Sequence, residues 1–402
     1  MTACGRCRVS RPASTAKTAR APVVPPLHLV YGSTMRAASL FTGIGGFDLA
    51  MRNLGIATSL VSEIDPAARA VLAARFPGAR LVGDATQVDL RGFDLVTAGF
   101  PCQGLSNAAA TRKHSGLLDD ASRSSVVWRV LDRLAGVPFV CLENASALAT
   151  TRYAADLGEL LRWFREHDYD ARVYVLNAGL YGTPLRRERA FVLARLRPLP
   201  WPNVPREVRF RGARPVVGVS GQQGGAAWGI QPSPTLKSGP YTLAVTSADV
   251  RSVTPEGLED LLGFPPGHTA PAGSSAQRYM RLGNAVAPGV AEAALRILLT
   301  GEAPPVRPPS AYPLDLTVRA RGGTSGSMVR RLYRSISMGR GNHNRIELEY
   351  CLPVYADRMA ADPATVTKPQ WDALAWLGAQ GLIPRHRKPW PTSVEITLTQ
   401  RG

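Results

Sequence analysis

The chain has 402 residues, 45% of them hydrophobic, and a formal net charge of +18, enough for one large domain plus one or two smaller ones. No apolar run reaches the ~20 residues that cross a bilayer, and the basic N-terminus lacks the apolar core of a secretory signal, so a soluble, cytoplasmic protein is expected. The positive surplus is nearly all arginine, Lys17, Lys113, Lys237, Lys368 and Lys388 being the only lysines, and it favours a polyanionic partner because neutralised phosphates release counterions.

Residues 1–34, rich in Arg, Ala, Pro, Ser and Thr without periodicity, read as a disordered basic tail. Met35 then stands directly before the first strand, Ala37–Phe41. Strand two is Thr58–Ser62, followed by a helix through Arg75. A strand at Phe93–Ala98, a polar stretch at 107–124 and a helix at Val126–Leu134 come next. Val137–Leu142 reads as a strand, Leu157–His167 as a helix, and Arg172–Asn177 with Arg189–Ala194 as a final strand pair. Alternating short apolar runs and helical stretches indicate an α/β fold with a doubly wound, mainly parallel sheet. Residues 195–231 are rich in Pro, Gly and Arg, with short β-like pieces such as Val216–Val219. Thr254 is a good N-cap for a helix to Leu262, with Pro255 at its first position. A helix at Val290–Leu299 should pack back on the first domain. Residues 302–312 hold a proline-rich linker, and 313–402 have their own aromatics, Trp371, Trp376 and Trp390.

The chemistry-bearing residues fall where such a sheet holds its reactive groups, in loops leaving the C-terminal ends of strands. Phe41-Thr42-Gly43-Ile44-Gly45-Gly46 fills the first turn, where glycines let backbone approach a ligand and the helix N-terminus favours an anionic group. Glu63-Ile64-Asp65 ends strand two, the position from which an acid grips ribose hydroxyls in dinucleotide folds. Cys102 lies in Gly99-Phe100-Pro101-Cys102-Gln103. Attack on carbon needs its thiolate, and the helix expected after Gln103, together with Arg187, would supply a field that favours it. Glu143-Asn144 follows another strand, and Leu185-Arg186-Arg187-Glu188-Arg189 precedes the last one. The five cysteines, Cys4, Cys7, Cys102, Cys141 and Cys351, are scattered and fit a reducing compartment. Cys4-x-x-Cys7 has no second pair nearby, so no metal is expected.

With Pro232-Ser233-Pro234-Thr235-Leu236 and Gly283-Asn284-Ala285-Val286-Ala287-Pro288, the set resembles the DNA cytosine-5 methyltransferases over roughly Arg36 to Leu299. The resemblance implies a sheet of the S-adenosylmethionine-dependent methyltransferase type, with a small irregular recognition region and an extra C-terminal domain. The boundaries are then 35–194 for the catalytic and cofactor-binding domain and 195–275 for the recognition region. Residues 276–300 are its return, 301–312 a linker and 313–402 an accessory domain. It implies S-adenosylmethionine as cofactor, held by Phe41, Gly43, Gly45, Gly46, Glu63, Ile64, Asp84, Pro101, Asn284 and Val286. Cys102 is the implied nucleophile and Glu143 the contact to N3 and the amino group of a flipped cytosine. Arg187 and Arg189 match a two-arginine motif that positions these groups and reaches the cytosine O2. Gln103, Ser106, Arg112, Lys113, Arg209 and Arg211 are the implied DNA contacts.

Two departures from the family pattern are Ala145, where Val usually follows Glu-Asn, and Leu185, where Gln is often found. The expected partner is double-stranded DNA, bound by a monomer, with room for a cognate restriction endonuclease. A tRNA cytosine-5 methyltransferase is an alternative, although those relatives carry a Cys-Phe-Thr string that is absent here. A catalytically silent DNA-binding protein is another, against which the intact Cys102 and Glu143 speak.

Overall fold

The computed structural model describes residues 35–102, 105, 116–183, 185, 187–205 and 253–307, and the backbone alone of 217–220, 242–245, 250–252 and 317–319. Its centre is a seven-stranded sheet. The strands are β1 (Ala37–Leu40), β2 (Thr58–Ser62), β3 (Arg80–Val82), β4 (Leu95–Gly99), β5 (Phe139–Ala145), β6 (Asp170–Asn177) and β7 (Glu188–Arg195), in the order β3-β2-β1-β4-β5-β7-β6. β7 runs antiparallel to both neighbours and every other pairing is parallel. The chain winds outward from β1 through β2 to β3, then returns to lay β4 against β1. That reversal opens a crevice beyond the C-terminal ends of β1 and β4, where such sheets bind ligands.

Helices cover both faces, as a central strand buried on two sides requires. On one face lie α1 (Gly46–Asn53), α2 (Pro66–Arg75), α5 (Pro255–Leu262), α6 (Ser275–Asn284) and α7 (Pro288–Thr300), sharing a core with Phe47, Met51, Phe191 and Leu295. α3 (Val126–Leu134) and α4 (Ala154–Glu166) cover the other, around Leu40, Val96, Val140 and Phe164. The caps follow the sequence: Asp65 accepts from the Ala68 amide at 2.8 Å with Pro66 next in line, and Thr254 accepts from Gly257 at 3.1 Å. Ser275–Thr300 is long and apolar enough to pass for a membrane span by composition, but it is two helices and 72% of its apolar window is buried.

Some boundaries move for local reasons. β1 stops at Leu40 because Phe41 takes a left-handed φ of 51°, and β4 runs from Leu95 to Gly99, with the Asp94 side chain before it accepting from the Arg36 amide at 2.8 Å. β8 is Val217–Ser220, and with β9 (Thr242–Val245), β10 (Val250–Val253) and β11 (Thr317–Arg319) it forms a second, antiparallel sheet in the order β11-β10-β9-β8. Thr317–Arg319, expected in a separate accessory domain, therefore pairs with the recognition region. Leu258, Leu261, Leu262 and Phe264, expected in the recognition region, pack in the core of α1 and α7. The apolar face of α5 drives that return well before residue 276. The expected tail at 1–34, the polar stretch at 107–115 and most of 313–402 lie outside the described residues.

Asp48, in the first turn of α1, is 1% exposed, and neither carboxylate oxygen has a well-aligned hydrogen-bond partner among the described residues. Burial pushes its carboxyl up from 3.8 to about 7, offset in part by the Thr58 and Ser39 hydroxyls and the charge of Arg52. Between those two values the native chain keeps a proton that the unfolded chain has released. Stability therefore falls as pH rises through that window and levels off above it. Asp48→Asn should remove this slope. Urea unfolding at pH 5 and pH 8 should show the wild type losing about 3 kcal/mol more than the variant over that interval, and equal losses would rule the effect out.

Candidate active site

The loop after β1 is built by its own hydrogen bonds. Thr42 sends its amide to the Ser62 carbonyl at 3.0 Å and its hydroxyl to the Ser39 carbonyl at 2.7 Å, which turns the chain across the end of β2. Gly45 caps α1 with φ 86°. A Cβ on Gly46 would lie 2.3 Å from the Val286 carbonyl oxygen, so the loop seats directly on the segment after α6. Around Gly43 a Cβ would meet nothing within 4 Å, which leaves that side of the loop open. Glu63 ties the loop to the end of β2. Its Oε2 accepts from the Gly43 amide at 2.8 Å, and its Oε1 accepts from the amides of Ile64 and Asp65 at 2.8 Å each. Ile64 is 75% exposed beside it. Asp84 caps the short turn after β3, its Oδ1 accepting from the Thr86 amide at 2.8 Å and hydroxyl at 2.9 Å. Asn284 is exposed at the end of α6, and Val286 is half-buried against Gly46.

One strand over, the Pro101-Cys102 turn is pinned from three sides. The Phe100 carbonyl accepts from Asn144 Nδ2 at 3.0 Å, the Pro101 carbonyl from Ser124 Oγ at 2.6 Å, and the Cys102 carbonyl from the Leu105 amide at 2.9 Å. Glu143 pairs across the sheet with Gly99, three residues before Cys102. β7 brings Arg189 beside it, with Nε 3.1 Å from Glu143 Oε1. Arg187 is fully buried, and its Nη2 donates to the carbonyls of Gly283 at 3.0 Å and Ala285 at 2.6 Å. Its Nε and Nη1 have no partner among the described residues, so the site keeps buried donors to spare.

The electrostatics are set by burial. Burial lifts the Glu143 carboxyl above its ordinary range, and Arg189 and Arg187 pull it back in part. Burial and the Glu143 charge also raise the Cys102 thiol, against the pull of Arg189 and Arg187. The arginine field expected from the sequence is present, but desolvation outweighs it and the resting group is the thiol. The helix expected directly after Gln103 falls outside the described residues.

A family model for C-5 cytosine-specific DNA methylase matches residues 35–215. Residues 35–215 are thus similar to the C-5 cytosine-specific DNA methylases. The type II methyltransferase M2.BsuMI of Bacillus subtilis (strain 168) is 33% identical over 169 residues, which are 40% of this chain and 42% of the relative. M.HhaI of Haemophilus parahaemolyticus is 32% identical over 164 residues, 40% of this chain and 48% of its own length. The chain thus spans less than half the length of these curated relatives. A mutant of Spodoptera frugiperda DNMT2 superposes with a TM-score of 0.51 at 17% identity, covering 66% of this chain and 99% of the other. Entamoeba histolytica EhMeth gives 0.51 at 15%, covering 66% and 98%. At such identities the likeness is one of fold.

Within this site, Cys102, Glu143, Arg187 and Arg189 come together, and Phe41, Gly43, Gly45, Gly46, Glu63 and Val286 line one loop system. Gln103, Ser106, Arg112, Lys113, Arg209, Arg211 and the Pro232–Leu236 motif lie outside the described residues. Two residues were not singled out from sequence. Arg281 forks onto Asp65, Nε to Oδ1 at 2.9 Å and Nη2 to Oδ2 at 2.6 Å, and its place three residues before Asn284 was the available signal. His268 reaches the Ile44 carbonyl at 2.7 Å, which no local pattern announces.

The opposed charges at Cys102 give a test. Glu143→Gln should move the alkylation profile of Cys102 to lower pH, and Arg189→Met should move it to higher pH. Iodoacetamide labelling followed by peptide mass spectrometry reads both, and shifts of the same sign would dismantle this account of the site.

Proposed function

We propose that this protein transfers a methyl group from S-adenosylmethionine to C5 of cytosine in double-stranded DNA. The observation that carries the reading is the gathering of Cys102, Glu143, Arg187 and Arg189 at the ends of β4, β5 and β7, one strand from a glycine loop tied to Glu63. The net charge of +18 fits a phosphate-rich substrate, and the relatives above are named as type II methyltransferases.

The residues present fit the cofactor. The loop is open beside Gly43, an acid stands next to it, and Ile64 offers an exposed apolar surface at the rim. Phe41, Gly43, Gly45, Gly46, Pro101, Asn284 and Val286 would enclose it, Glu63 would take the ribose hydroxyls and Asp84 the adenine amino group. When bound, S-adenosylmethionine supplies an electrophilic methyl group.

Cytosine in a duplex hides C5 and C6 in the stack, so the target base has to leave it. Cys102 Sγ, having lost its proton to water, bonds to C6 and drives electron density onto C5 and N3. Glu143, whose carboxyl is shifted by burial toward its protonated form, gives a proton to N3 and so accommodates that charge. While it still holds that proton it is neutral and does not oppose the Cys102 thiolate. Arg189 orients the Glu143 carboxyl, and the spare donors of Arg187 suit the developing charge near O2. After C5 has taken the methyl group, its proton passes to water, the S–C6 bond breaks and Glu143 recovers its proton from N3. The enzyme works in the cytoplasm as a monomer. Residues 195–231 read the target through arginines, a short interval suited to about two to four base pairs.

Methyl transfer from labelled S-adenosylmethionine should be seen on duplex DNA and not on tRNA. Cys102→Ser should abolish it, and DNA with 5-fluorocytosine at the target should be trapped on the wild type, since fluorine cannot leave as the proton does. Glu143→Gln should slow transfer by ~10²–10⁴-fold with cofactor binding retained. Transfer to tRNA alone would favour the tRNA enzyme, and binding to DNA without transfer would mark a silent DNA-binding protein.

A further inference from the structure

His268 lies between α5 and α6 and is 2% exposed. Its ring packs on Phe264 (centroids 5.0 Å apart) and edge-on to Phe76 (6.4 Å). Nε2 stands 2.7 Å from the carbonyl oxygen of Ile44, in the middle of the Thr42–Gly46 loop. A carbonyl only accepts, so Nε2 carries the hydrogen.

The turn that presents the ring is itself a frame. Glu259, fully buried, accepts from the amides of Gly267 at 2.6 Å and Thr269 at 2.7 Å, from the Thr269 hydroxyl, and from Arg278 Nη2 at 2.9 Å. From the other side Arg75 donates Nε to the His268 carbonyl at 3.0 Å and Nη2 to the Gly267 carbonyl. So much local bonding around one imidazole, ending on one loop carbonyl, holds that carbonyl to within the tolerance of a hydrogen bond. Phe76 presses on Gly45 and Val286 on Gly46, so His268 completes a three-point clamp.

We propose that His268 is a positioning residue for the cofactor loop: its Nε2–H, donated to Ile44, holds Thr42–Gly46 in the shape that receives S-adenosylmethionine. This rests on the reading of that loop as the cofactor's. Burial lowers the imidazole's proton affinity, the Ile44 bond and Glu259 oppose that, and Arg75 and Arg52 reinforce it. The ring is therefore neutral with its hydrogen on Nε2, a tautomer that ¹⁵N NMR can read directly.

The experiment is calorimetric titration of the full chain with S-adenosylhomocysteine, beside the His268→Phe and His268→Gln variants. Phe fills the space without a donor, and affinity should fall about tenfold, the worth of one net hydrogen bond. Gln restores an N–H, and affinity should return to within about threefold of wild type. Equal affinity in His268→Phe and wild type overturns the proposal alone, as does a loss that Gln fails to rescue, which would mark packing rather than the donor. A wild type that binds no S-adenosylhomocysteine overturns the cofactor reading itself.

Discussion

The site depends on one buried guanidinium. Arg187 leaves the edge of β7 and donates to the carbonyls of Gly283 and Ala285, on either side of Asn284. A fully buried arginine needs fixed acceptors, and here the two carbonyls supply them, while the nearby Glu143 carboxyl favours its charge against the pull of burial. The same bonds that satisfy it hold the end of α6 against the sheet. With α6 placed, Val286 rests on Gly46 and Arg281 reaches Asp65. The reacting groups and the glycine loop thus share a joint rather than merely a neighbourhood.

That joint also sets the electrostatics. Cys102 and Glu143 are each pushed toward their neutral forms by desolvation, and the two arginines pull each toward its anion. Because Glu143 itself disfavours a thiolate at Cys102, the site holds one negative charge more easily than two, as coupled acids do. The resting thiol is a consequence of burial, and burial is what gives the arginine field its strength when charge develops.

Much of this was legible in the sequence because it is local. Thr58–Ser62 and Val126–Leu134 coincide with their elements, the apolar pattern being enough to place them. The Thr254 and Asp65 caps are likewise side chains acting within three residues. β3 was not legible, since Arg-Leu-Val offers too few residues for a period. Nor was α6, whose Gln277, Arg278 and Arg281 give it a polar texture that tertiary ion pairs make sense of. Of the site, Cys102 and Glu143 could be named from motifs, but not the ordering of burial over arginine charge, which needs the packed interior. His268 lies beyond any sequence signal because its partner is 224 positions away.

Two buried anchors fix where the chain leaves the sheet and where it returns. Arg195, fully buried, donates to the carbonyls of Ile297 and Leu298 on α7 and of Leu199 and Pro200 beyond β7, with Trp201 stacked on it at 3.6 Å. That fixes the chain's exit from the catalytic core. Its re-entry is fixed at Val253, 3% exposed, whose carbonyl accepts from the Tyr279 hydroxyl at 2.8 Å. Everything between is inserted at two anchored points, and lengthening such an insertion costs only a slowly growing closure entropy. A segment anchored in this way can change in length or composition without disturbing Arg187, the loop at Ile44 or the Cys102 turn.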